Sequence, residues 1–221
     1  MPKWAKFLIA LLLVPVCIGA GIALARVARA SGGADTVWVV LAGGAFCWLI
    51  IFLMLPRPMW IYVFGHELTH AIWTWAMGGK VKKFKASSKG GHVVVSKSNF
   101  LTVLAPYFFP LYAILIAAVF KGASLFWNVE RIAVWFHLLL GAAYGFHLTL
   151  TWQALQTEQS DVSSQGYLFS ATIIFLGNAI VLLVAIPALT AAVDLAVAFQ
   201  WWGESTWGIL RRAGLIFLRF V

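Results

Sequence analysis

Charge is what this sequence lacks. Only 10% of its 221 residues are charged, against about a quarter in ordinary soluble domains. That excludes an extensive water-facing surface. With 62% hydrophobic residues, almost no chain is left for a separate soluble domain. Cysteine is nearly absent as well. Cys17 and Cys47 lie in separate apolar segments and form no CxxC pair, which excludes a disulfide framework and a thiolate metal site. There is no internal repeat and no low-complexity linker. Acidic residues number seven against sixteen basic ones, for a net charge of +9. In so apolar a chain the basic excess reads as flanks and loops facing anionic lipid headgroups, and no nucleic-acid partner is expected.

What is present is long apolar runs and twelve tryptophans, a residue that collects at membrane–water interfaces. The expected fold is an all-α polytopic membrane protein of about six transmembrane helices, integral to a cell or inner membrane. Spans are expected over residues 5 to 27, Val37 to Leu55, Met59 to Met77, Phe100 to Phe120, Arg131 to Gln153 and Gly166 to Val193. The first is expected to remain as a span, although Ala28-Arg29-Ala30 resembles a cleavage site. The chain is read as one membrane-embedded domain, residues 1–221. Two N-terminal spans occupy 1–58, a core 59–193 and an interfacial amphipathic tail 194–221.

Only one substantial stretch is polar, "KVKKFKASSKGGHVVVSKS". Two β-prone runs, Val81 to Ser87 and His92 to Ser96, flank Gly90-Gly91 and predict a β-hairpin turning at the glycines. The basic residues do not orient the chain. Lys3, Lys6, Arg57, Lys121, Arg131, Arg211, Arg212 and Arg219 fall on one side. Arg26, Arg29, Lys80, Lys82, Lys83, Lys85, Lys89 and Lys97 fall on the other.

In the middle of the third apolar segment stands "GHELTH". His66, Glu67 and His70 form an HExxH pattern. Positions i and i+4 of a helix share a face, so both imidazoles can bind one metal ion. Zinc accepts nitrogen ligands tetrahedrally, and a catalytic site keeps one position for water. Glu67, beside the ligands, is placed to take a proton from that water. HExxH also arises by chance. Each ionisable residue in a span, however, costs on the order of 2.5–3.5 kcal/mol on insertion scales, which disfavours an accidental cluster of three.

A third protein ligand is required. Asp161 precedes the sixth span and His147 lies near the end of the fifth; His92 and His137 are weaker candidates. Asp161 also suits a plain helix N-terminus. His147 suits either a packed histidine or a partner of a metal ligand.

"FGHELTHAIWTWAMGGKVKKF" resembles the signature of intramembrane zinc metalloproteases of the site-2 protease type, in a compact, single-domain form. Ala71 and Gly78-Gly79 match the small residue and helix end that follow the motif. The hairpin matches a β-element of that family. "QSDVSSQGYLFS" resembles a divergent form of its Asp-Gly element, with Gly166 five positions after the aspartate. The resemblance spans residues 59 to 180. It implies that His66, His70 and Asp161 bind zinc, with Glu67 as general base. It also implies hydrolysis of peptide bonds in or near transmembrane segments of a membrane protein or membrane peptide. A strand edge at His92 to Ser96 could receive an unwound substrate, and Asn99 or Asn178 could orient its backbone. Two other classes stay open: a metal-binding membrane protein without proteolysis (a transporter or a protease-like chaperone), and a structural membrane protein with a fortuitous motif.

Overall fold

The computed structural model describes residues 1–88 and 90–218; Lys89 and Arg219, both counted among the basic flanks above, lie outside the described residues. The chain is mostly helical, with one two-stranded antiparallel hairpin. It packs into two compact units, Thr36–Asp161 and Met1–Asp35 with Val162–Val221.

The unit that carries the motif contains α2 (Asp35–Met54, from Thr36 onward), α3 (Met59–Ala76), β1 (Val81–Ser87) and β2 (Gly90–Val95). It continues with α4 (Phe100–Leu104), a 3-10 turn over Ala105–Tyr107, α5 (Leu111–Ala123) and α6 (Ala133–Leu155). It ends at the start of α7 (Ser160–Gln165).

Small residues let α2 and α6 approach closely. A side chain on Gly44 would run into the Leu138 backbone, and one on Gly141 into that of Leu41. Trp48, Tyr62, Phe146 and Leu150 form the core that joins α2, α3 and α6. The indole of Trp48 donates to Thr149 Oγ1 at 2.8 Å, so its one polar atom is satisfied.

The motif helix, α3, has sharp limits at both ends. Pro58 precedes its first turn. At its end Gly78 takes φ +70°. Gly78 N–H donates to Trp75 O at 2.9 Å and Gly79 N–H to Thr74 O at 2.8 Å, the double closure of a Schellman end. The helix stops there, and Lys80 leads directly into β1.

In the other unit, α1 (Lys3–Ala30) packs against α8 (Tyr167–Thr190) and α9 (Leu195–Phe217). Ala23, Val27, Leu183 and Ala198 form its core. Residues of α9 that turn inward, among them Ala198, Trp201, Trp202, Ser205, Thr206 and Ile209, recur at helical spacing. The expected amphipathic C-terminal helix is therefore present and begins at Leu195. Gly166, with φ +94°, opens α8.

Where about six spans were expected, four helices among the described residues are long and apolar enough to cross a membrane: α1, α2, α6 with its preceding turn, and α8. α3 is not among them, because its 18 residues carry His66, Glu67 and His70. The expected fourth span is broken: α4 with its 3-10 turn and α5 meet at 81°, and counting the bent pair as one span brings the total to five at most. Pro106 and Pro110 supply the break, since proline cannot donate to the helix ladder. The hairpin differs too. Gly90 and Gly91 belong to β2, pairing with Ser87 and Ala86, and do not form the turn.

Candidate metal centre

His66 and His70 sit one turn apart on α3, with ring centroids 4.9 Å from each other. The carboxylate of Asp161, in the first turn of α7, reaches both. Its Oδ2 lies 3.5 Å from His66 Nε2 and 3.4 Å from His70 Nε2. One ligand atom from each of the three residues falls within 4.8 Å of the others, a group that could hold a metal ion. The donor chemistry fits. Tetrahedral ligands with bonds of about 2.0–2.2 Å lie roughly 3.3–3.6 Å apart, close to these two separations. Burial works to raise the Asp161 carboxyl, but pairing with His66 and His70 outweighs it and holds the group well below the usual carboxylate range. Asp161 is thus ionised at neutral pH.

Each first neighbour of the cluster has a local cause. His70 Nδ1 lies 2.7 Å from the carbonyl oxygen of Thr102. A carbonyl only accepts, so Nδ1 carries a proton and Nε2 is the nitrogen that faces the cluster. That carbonyl is available because the residue one turn on is Pro106, which has no N–H to give it. Thr102 is itself fixed by a capping box: its N–H donates to Asn99 Oδ1 and Asn99 N–H to Thr102 Oγ1, both at 2.9 Å.

Asn99 therefore holds the start of α4, and its Oδ1 is engaged there. Asn178 lies in the other unit, where its Nδ2 donates to Ile174 O within α8.

Tyr107 is the residue that sequence reasoning missed. It is 1% exposed. Its hydroxyl donates to Asp161 Oδ2 at 3.3 Å, and its ring stands edge-on to His66, centroids 5.3 Å apart. In sequence it is one aromatic among several in "APYFFP", with nothing to set it apart.

Glu67 is 7% exposed and faces the hairpin. A Cβ on Gly91 would lie 2.6 Å from Glu67 Cγ and 2.6 Å from the Lys85 carbonyl oxygen. The glycine is required because the strand passes directly over the carboxylate. Phe84 of β1 seats the hairpin on α3 through an edge-on contact with Phe64, centroids 5.7 Å apart.

Glu67, His66, His70 and Asp161 open onto one cleft of about 310 Å³. Gly91, His92, Val93 and Val95 of β2 form part of its wall. With β1 on one side of β2, the strand's other edge has no strand partner among the described residues.

Of the sequence candidates, Asp161 joins the two motif histidines. His92 lines the cleft, exposed, on β2. His137 stays on α6 beside Phe136. His147 is 8% exposed and outside the ligand group, but it shares a small cavity with His66. No protein-family model, no curated protein and no solved structure matches the chain.

Proposed function

We propose that the protein is a membrane-embedded, zinc-dependent endopeptidase of the site-2 protease type, cutting peptide bonds in or near transmembrane segments of membrane proteins or membrane peptides. The observation that carries this reading is the convergence of Asp161, from a distant segment, on the two histidines of HExxH, with Glu67 opening on the same cleft.

Zinc held by His66, His70 and Asp161 would polarise the scissile carbonyl and acidify the attacking water. The chain's own groups perform the rest. Glu67, desolvated under β2, takes the proton of that water and passes it to the departing amine. The Thr102 carbonyl and the Tyr107 hydroxyl hold His70 and Asp161 in their ligating orientations. A substrate helix must unwind before it is cut, and its freed backbone groups need partners where water is scarce. The unpaired edge of β2 offers such partners by strand addition beside Glu67.

The test uses the full chain purified in detergent. Zinc content and cleavage of transmembrane peptides are measured for the wild type, His66→Ala, Asp161→Ala and Glu67→Gln. The reading expects zinc in the wild type and in Glu67→Gln, cleavage only in the wild type, and zinc loss in the other two. Absence of zinc from the wild type overturns it. Zinc without cleavage of any membrane peptide would instead favour a binding role.

A further inference from the structure

His66 lines two cavities. One is the cleft already described. The other is a small pocket lined by α3, the Pro106–Phe109 turn, α5 and α6; it has a volume of about 20 Å³ and shares only His66 with the cleft. Tyr62 and His147 line it too, among otherwise mostly apolar neighbours such as Phe109 and Phe146.

Tyr62 and Thr151 interact with each other through their hydroxyls. His66 Nδ1, by contrast, is buried without a hydrogen-bond partner among the described residues. Tyr62 and His66 are one turn apart on α3, and His147 and Thr151 one turn apart on α6. Two polar faces thus meet across a packed helix pair and leave a gap between them. Native proteins rarely leave buried donors unpaired. A gap above about 10–15 Å³ with two to four polar partners is the setting in which a single water is bound and kept.

The two ligand histidines differ at this point. His70 has a protein acceptor for its Nδ1–H in the Thr102 carbonyl. His66 has none, yet it needs one for the same reason: the proton must stay on Nδ1 for Nε2 to face the metal.

We propose that the cavity binds one ordered water, which accepts from His66 Nδ1–H and is held by His147 and Tyr62. His147 is then the positioning residue for His66, acting through that water. This rests on His66 being a metal ligand, as proposed above.

The experiment measures zinc affinity of the full-length protein in detergent by chelator competition, with the absorption spectrum of the cobalt-substituted form. Melting of the metal-free protein is followed in parallel. His147→Ala is expected to weaken zinc binding roughly ten- to hundredfold and to shift the cobalt bands. His147→Gln, which keeps a polar group at the cavity, is expected to restore most of the affinity. Metal-free melting should be alike in both variants. The inference is overturned if His147→Ala binds zinc as tightly as the wild type. It is also overturned if both variants lose affinity equally and in step with a fall in metal-free melting, since that is a packing role. A wild type that binds no zinc removes the metal-site reading and this inference together. A wild type that binds zinc with His147→Ala unchanged removes this inference alone.

Discussion

The Thr102 carbonyl reaches His70 Nδ1, 2.7 Å away, because Pro106 leaves that carbonyl unclaimed by the helix. Pro106→Ala supplies an N–H one turn on and sets it in competition with His70 for the same acceptor. Zinc affinity, read by chelator competition, should fall roughly tenfold. Unchanged affinity would show that the carbonyl serves both donors and that proline is there for the bend alone.

Tyr107→Phe removes the hydroxyl that holds Asp161 Oδ2 and keeps the ring against His66. Zinc should bind roughly ten times more weakly, with thermal unfolding of the metal-free protein little changed. A large fall in melting temperature with zinc affinity intact would assign Tyr107 to packing.

Glu67→Gln keeps the side chain's size and removes its basicity. Metal content should match the wild type, while the cleavage rate should fall by roughly a hundredfold or more. Cleavage at the wild-type rate would mean that another group takes the proton.

Gly91→Ala places a methyl group against Glu67 Cγ and the Lys85 carbonyl, 2.6 Å from each. The strand must shift away from the base. Peptide cleavage should drop while zinc content stays the same, because the atoms nearest the new methyl belong to Glu67 and Lys85. Loss of zinc in this variant would show that the hairpin also holds the histidines in place.

HExxH, the hairpin and Asp161 could be read from the sequence because each leaves a local trace: a fixed spacing, a run of β-prone residues between glycines, a lone carboxylate before an apolar run. Gly91 could not. A glycine pair between strands signals a turn, and only the carboxylate lying beneath it makes a strand position the better place. Asn99 looked like a polar group free for substrate, whereas a capping box, a pattern spread over Asn99 and Thr102, claims its Oδ1. Tyr107 gave no local signal, since its value lies in a contact with Asp161 across more than fifty positions. Length and composition alone did not show that α3 and the proline-broken α4–α5 pair have the length of apolar segments without their continuity.

The contact between Gly91 and Glu67 also fixes a measure. On the proposed reading, a substrate strand added to the edge of β2 would be registered against Gly91, and Gly91 is registered against Glu67. Strand pairing repeats every two residues, and a slip of one turns every side chain to the opposite face. Alternative cleavage points in one substrate should therefore be spaced by even numbers of residues, and the hairpin would act as a ruler as well as a clamp.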